Sequence, residues 1–336
     1  LYLRAQKNAR YGVEGMIASI SQLESFALCP FAHFVGYGLR PRELKEPRMD
    51  ARERGTLEHR AIEDFAGRLY ARQDEVGDEE AERLMREVLE PLFEEESAHR
   101  REGGLSRANH QEIRRAMGRM SRLMALQKRL SRFRVSAEEL AFTPADTAPL
   151  SLPSGERVYL EGKIDRVDVL NLHSDLYARV IDYKTGNTAL GLDDVYFGLR
   201  LQLFLYLDAV LALRGAKPAG VFYQKLSEAP MRLAGGRIDE KLAARQRKKL
   251  RLTGFILEDP DVIGQMCADP EIMDQVLPVE PRTKGGRALP GEFTERSRSR
   301  MLSEEAFGLL RRHTRRKLAE LAGDALAGKA AVSPAL

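Results

Sequence analysis

Cysteine is nearly missing from this chain: 336 residues contain two, Cys29 and Cys267. Two thiols exclude a disulfide framework and fit a reducing cytoplasm. Histidine is also scarce, at six residues, too few for a histidine-rich metal cage. Any metal site must therefore lean on carboxylates, which favours hard cations such as Mg²⁺ or Mn²⁺. No run approaches the roughly 20 apolar residues that span a bilayer, so no membrane association is expected. No signal peptide is visible, and the chain opens with Leu1 rather than Met, which sets the expectation of a segment cut from something larger. A net charge of only +4 does not by itself demand nucleic acid. What is present is the composition of a globular protein, 43% hydrophobic and 31% charged. The length suits one large domain or two small ones.

Along the chain, "SISQLESFALCPFAHFVGYGLR" (residues 19–40) reads as a capped short helix broken at "CPF" and continued as an aromatic-rich segment. Helical spacing runs from about Met49 to Arg72, with Leu57, Ile62, Phe65 and Leu69 on one side. An acidic helix with Pro91 inside it and a basic helix follow, together a helical insertion at about 78–132. Periodicity then switches. "AEELAFTP", "ERVYLEGKIDRVDVL" and "LYARVIDYKT" read as three strands joined by short turns, hence antiparallel. A long helix from about Asp193 to Leu213 leads to a fourth strand, "PAGVFYQKL", which the crossover makes parallel to the third. Helices are expected near 238–252, 259–268 and 303–328, with a loop over residues 281–300. The fold class expected is α/β, a mixed central sheet flanked by helices. No internal repeats are visible.

The stretch "VIDYKTGN" carries the chemistry. Strand alternation sends Asp182 and Lys184 to one side and Tyr183 to the other. Such a pair is either a solvated salt bridge or a metal ligand beside a cation that stabilises a transition state, and two residues do not decide between these. Asp165 lies in the preceding strand. If the strands pair, Asp165 and Asp182 share a face, and two carboxylates that close repel unless a cation lies between them. A divalent metal would remove that conflict and activate water for attack on phosphorus, with Lys184 placed to help. His59 sits at the margin of an apolar helical face, with Glu63 one turn on. Gln202 and Tyr206 lie one turn apart in a helix that is apolar nearly all round, so Gln202 must find polar partners. Each residue alone has a structural explanation. Their joint order, GxxxH on a helix, GxxD on a strand, DxK on the next and QxxxY on the following helix, is much rarer by chance than any one.

This ordered set, "GTLEH", "GKIDRVD", "VIDYKTG" and "LQLFLYL", resembles the RecB-type nucleases of the PD-(D/E)XK superfamily. Together with "SISQLESFALCPFAHFVGYGLRPRE" and "DVYFGLRLQLFLYLDAVL", it is most similar to the C-terminal nuclease region of the AddB (RexB) family of bacterial helicase–nuclease subunits. The resemblance implies His59, Asp165 and Asp182 as metal ligands, with the Tyr183 carbonyl as a further one. It implies Lys184 as catalytic lysine and Gln202 and Tyr206 as members of the catalytic motif. The superfamily's proline is absent, since Ile164 precedes Asp165.

The implied activity is Mg²⁺-dependent cleavage of single-stranded DNA (Mn²⁺ substituting), in double-strand break repair beside a helicase–nuclease partner subunit. A catalytically silent nuclease fold that only binds DNA or scaffolds the complex is the rival. Cys29 matches the first of four cysteines that hold an iron–sulfur cluster in that family. Its three partners have no counterpart here, so this chain is expected to be cluster-free. The resemblance divides the chain into an N-terminal segment (1–48), a nuclease core (49–230) and a helical extension (231–336). Two Arg-rich segments, residues 112–134 and 282–300, are candidates for flanking a DNA cleft.

Overall fold

The computed structural model describes residues 11–41, 51–99, 107–186, 188–226 and 240–335. It begins with strand β1 (Met16–Ser19), helices α1 (Ile20–Leu28) and α2 (Pro30–His33), and a π-helical turn over Phe34–Leu39. Three long helices follow, α3 (Ala51–Ala71), α4 (Asp78–His99) and α5 (Arg107–Leu130). Next come strands β2 (Arg134–Phe142), β3 (Leu150–Ser151), β4 (Arg157–Leu172) and β5 (Asp175–Lys184). Helices α6 (Leu192–Phe197) and α7 (Gln202–Arg214) lead to β6 (Lys217–Lys225). The remainder holds α8 (Glu240–Leu250), β7 (Leu252–Leu257), α9 (Pro260–Met266) and a 3-10 turn over Pro270–Gln275. It ends with β8 (Pro281–Lys284), β9 (Arg287–Phe293), α10 (Glu295–Arg298), β10 (Met301–Leu302) and α11 (Glu304–Leu326).

Local chemistry accounts for the element ends. The Ser19 hydroxyl accepts the Gln22 N–H at 3.3 Å and starts α1. Pro30 occupies the first turn of α2, where its missing N–H is not needed. Ser303 caps α11, accepting the Ala306 N–H at 3.1 Å. On α3, the residues Leu57, Ile62, Phe65 and Leu69 are all buried, as their spacing predicts.

The main sheet runs β1-β4-β5-β6-β7-β10, and β2 and β3 also pair with β4. β4 is long enough to serve both halves of it. Its first half pairs with β1 in parallel and with β3 antiparallel, and its second half pairs antiparallel with β2 and β5. β5 and β6 are parallel, joined by the α6–α7 crossover. The mixed α/β sheet expected from the sequence is therefore present, with β2, β4, β5 and β6 where the alternation put them.

Several readings are corrected. The helix expected from Asp193 to Leu213 is two helices, because the chain turns at Gly198 (φ 87°). The region after residue 231 is not simply helical: β7 joins the main sheet beside β6, and β10 beside β7. The loop expected over 281–300 holds the β8–β9 hairpin, turning at Gly285 and Gly286. The domain boundaries expected at residues 48–49 and 230–231 fall outside the described residues. The basic helix α5 spends much of its charge on acidic α4: Arg114 pairs with Glu90 at 3.0 Å, Arg129 with Asp78 at 3.2 Å, and Arg122 with Glu82. These cations are neutralised within the protein, which weakens the case for α5 as a DNA-facing element.

Phe204 on α7 ties the C-terminal elements into the common core. Its buried ring lies 6.3 Å from Phe255 of β7 and 6.3 Å from Phe307 of α11, centroid to centroid. Phe204→Ala is expected to cost about 3–5 kcal/mol of stability, read as a lower urea midpoint with an unchanged slope. A cost under about 1 kcal/mol would mean that α11 and β7 do not share this core.

Candidate active site

The site grows from the point where β4 and β5 part. Their pairing ends at Arg166 opposite Ile181. One step further along that register, Asp165 faces Asp182 across the two strands, so both carboxylates belong to one side. In the gap Asp165 turns its carboxylate toward the β5 backbone and accepts the Tyr183 N–H at 2.7 Å. Its Oδ2 also lies 3.2 Å from His59 Nε2. His59 is delivered by α3, and its other ring nitrogen is 2.8 Å from Glu63 Oε1. Gly55, one turn earlier, explains how the helix comes so close: a Cβ there would meet Thr185 Oγ1, just after β5, at 3.1 Å. The GxxxH spacing is thus a close-approach residue followed by the side chain it delivers.

Asp182 is 2% exposed, and its Oδ2 has no hydrogen bond of good geometry. Its charged neighbour is Lys184 Nζ, 2.5 Å away. Burial pushes the Asp182 carboxyl up to about 7, with Lys184 pulling against it and Asp165 adding to the push. Burial works to lower the His59 pKa, but the hydrogen bonds to Asp165 and Glu63 outweigh it and push it up to about 10. Two carboxylates and an imidazole thus crowd one spot, with one carboxylate under-compensated. The donor set fits a hard divalent cation. As the side chains stand, no three His, Cys, Asp or Glu residues among the described ones are gathered closely enough to enclose an ion. His59 is engaged with both acids instead.

Lys184 continues the network. It donates to Gln202 Oε1 at 3.1 Å, and Gln202 Nε2 donates to the Tyr206 hydroxyl at 2.9 Å. Gln202 is the first residue of α7, and the helix start is held by Glu24 of α1, whose Oε1 accepts the Leu201 and Gln202 N–H groups at 2.6 and 2.9 Å. The sequence reading missed Glu24. Its partner lies 177 residues away, so no local pattern announces it. Tyr206 packs edge-on to Phe142 over Gly162 of the GxxD motif, where a Cβ would meet the Phe142 ring at 2.7 Å. Of the sequence-predicted residues, His59, Asp165, Asp182, Tyr183, Lys184, Gln202 and Tyr206 come together. His59, Tyr183 and Lys184 line an open cleft of about 550 Å³, with Lys163 and Glu139 also on its wall.

Cys29 stands outside this group, between α1 and α2. Backbone of residues 331–335 runs beside it, Phe31 N–H donating to Ala331 O at 3.2 Å and Ala335 N–H to Leu28 O at 2.8 Å. An N–H from Ala32 leads the contacts that hold its thiol below the usual range. Cys267 is buried, its thiol on the Asp269 carbonyl at 3.2 Å, as a small core residue would be.

A strand–strand–helix carboxylate site on a mixed sheet is also what comparison with known proteins returns. The PD-(D/E)XK nuclease superfamily model matches residues 17–334. The chain belongs to the PD-(D/E)XK nuclease superfamily. It is similar to the B-type subunit of the ATP-dependent helicase/deoxyribonuclease of Alkaliphilus oremlandii, 32% identical over 99% of this chain and 30% of that protein. The proteins of the same name from Alkaliphilus metalliredigens and Desulforudis audaxviator are 33% and 34% identical, over 94% and 95% of this chain. The chain spans less than a third of the length of these relatives. No helix among the described residues is long and apolar enough to cross a membrane.

Beneath this PD-(D/E)XK site, on the opposite face of the sheet, lies a buried ionic cluster. Asp168 takes Arg166 at 2.7 and 2.8 Å and Arg179 at 2.8 Å, all three buried. Arg166 stacks on Tyr70 of α3 at 4.2 Å and Arg179 on Phe133 at 4.7 Å. Burial alone would raise the Asp168 pKa; the two guanidiniums outweigh it and hold the carboxyl below its usual range. Because that folded pKa is depressed, the contribution is present above the ordinary carboxylate range and is lost as pH falls through the folded value. Asp168→Ala leaves two buried guanidiniums uncompensated and is expected to cost about 3–5 kcal/mol at neutral pH. Chemical denaturation measures this, and the difference from the parent should shrink in acid. A mild effect at pH 7 would show that the cluster is solvated.

Proposed function

We propose that the chain is a metal-dependent deoxyribonuclease domain that hydrolyses phosphodiester bonds of single-stranded DNA, within a helicase–nuclease that repairs double-strand breaks by recombination. The observation that carries this reading is the under-compensated Asp182 carboxylate, buried opposite Asp165 and 2.5 Å from Lys184 at the mouth of an open cleft. Asp165, Asp182, His59 and the Tyr183 carbonyl would hold a divalent cation, Mg²⁺ with Mn²⁺ as substitute. When bound, such an ion supplies Lewis-acid polarisation of the scissile phosphate. Glu63 fixes the His59 ring through its second nitrogen. Lys184 brings a cation to the charge that develops on phosphoryl oxygen. Gln202, anchored by Tyr206 and by the Glu24-capped start of α7, holds the Lys184 ammonium in place.

The names of the relatives support a partner subunit carrying helicase function, and a cytoplasmic setting follows from that work on DNA. We retain the division into an N-terminal segment, a nuclease core and a C-terminal extension as part of the proposal. In a longer parent, Cys29 would be the first thiolate of an iron–sulfur cluster. A single thiol does not fit a four-thiolate cluster, so the residues of this chain do not hold one. A silent scaffold is disfavoured, because both carboxylates and the lysine are in place.

Cleavage of end-labelled single strands, with and without Mg²⁺, tests the reading. Asp182→Ala is expected to abolish cleavage and spare DNA binding. Lys184→Ala is expected to slow cleavage by about 10²–10³ while the divalent-ion affinity stays nearly unchanged. A mere salt bridge gives the opposite pattern, lower melting temperatures for both variants without selective loss of cleavage. Wild-type cutting by Asp182→Ala sinks the proposal.

A further inference from the structure

A second groove lies between α6 and α11, with a volume of about 590 Å³. Its wall combines apolar, aromatic and cationic side chains: Leu192 and Tyr196 from α6, and Leu309, Arg312, His313 and Arg316 from α11. Tyr196 and the adjoining Phe197 are each 63% exposed, which is unusual for rings of that size in a folded domain. They are held nonetheless. The Tyr196 ring lies nearly parallel to His313, 8° between planes, and the Tyr196 carbonyl accepts from His313 Nε2 at 3.2 Å. Arg316 donates to His313 Nδ1 at 3.3 Å, completing a small ordered cluster.

The arginines of α11 divide by face. Arg311 and Arg315 point inward and share Asp208, at 2.7 and 3.3 Å. Among the described residues, Arg312 and Arg316 make no ion pair. This contrasts with α5, whose arginines are met by the acids of α4. Only Asp193 among the groove-lining residues carries a negative charge. A rigid pair of exposed rings beside two uncompensated guanidiniums is the combination that binds unpaired nucleotides: bases stack on the rings and phosphates pair with arginine. The location agrees. Six residues separate Tyr196 from Gln202, so the groove lies within roughly 20 Å of the active-site cleft.

We propose that the α6–α11 groove is a binding site for single-stranded DNA, holding the strand a few nucleotides from the cleft. The inference rests on the deoxyribonuclease reading for its choice of DNA. Fluorescence anisotropy of labelled oligo-dT with the 336-residue chain, in EDTA so that nothing is cut, provides the test. Tyr196→Ala/Phe197→Ala is expected to weaken binding about tenfold or more. Arg312→Gln/Arg316→Gln should reduce the slope of log affinity against log salt by about 1.4, since each phosphate contact on a single strand contributes about 0.7. All four side chains project from the surface, so melting temperatures should stay within a few degrees of the parent. Oligo-dT binding by both double variants with the parent's affinity and salt slope overturns the proposal. So does unchanged DNA binding with lost association of a partner protein, which makes the groove a protein-docking face. Asp182→Ala, measured alongside, separates the two readings: its cleavage judges the catalytic site, while anisotropy of the groove variants judges the groove.

Discussion

The register between β4 and β5 is the constraint on which the rest of the site depends. With Arg166 opposite Ile181, Asp165 comes to face Asp182 where the strands separate. A slip of one residue would send every β5 side chain to the other face, moving Asp182 and Lys184 away from Gln202 and bringing Tyr183 into their place. Apolar patterning resists such a slip only weakly here, because both faces of β5 are buried from Ala178 to Tyr183. The ionic cluster under the site supplies what patterning lacks. Asp168 and Arg179 are direct cross-strand partners as well as an ion pair, so the pairing that satisfies them is the one that aligns the carboxylates. A buried ion pair of this kind contributes little net stability against a hydrophobic substitute. Its value lies in excluding the wrong alignment.

Charge on the two faces is handled differently. Below the sheet every member of the cluster is matched, and the guanidiniums are also covered by aromatic rings. Above it the balance is incomplete: Asp182 is buried with a poorly satisfied oxygen, and His59 is shared between two acids. The matched network gives a rigid floor on which an unmatched one is tolerated. Such local frustration is common where a protein must receive charge from outside.

Much of this was legible in the sequence, for physical reasons that also explain the failures. β2, β4, β5 and β6 have enough β-branched and aromatic residues to declare themselves, and the stripe on α3 has clean helical spacing. The motif residues were legible because each stands at a fixed offset within one element. Features that depend on distant partners were not. β7 is only six residues long with a glycine inside, and it is a strand because β6 offers it an edge. The polar, exposed β8–β9 hairpin lacks the alternation of a half-buried strand. The α6–α7 break was hidden because apolar residues continue through Gly198 on both sides. Glu24 reads as an ordinary helix glutamate until α7 is brought to it.

The Glu24 contact has a consequence for the order of events during synthesis. The carboxylate that holds the start of α7 is made early, and the N–H groups it accepts are made 177 residues later. At about 5–20 residues per second, a ribosome needs roughly 10–35 s to cover that interval. Until then Lys184 has no Gln202 beside it, and α1 carries a carboxylate without its helix. The catalytic arrangement therefore cannot close on a half-made chain. A growing polypeptide with this fold passes through an interval in which its acids and its lysine exist but are not yet assembled into one site.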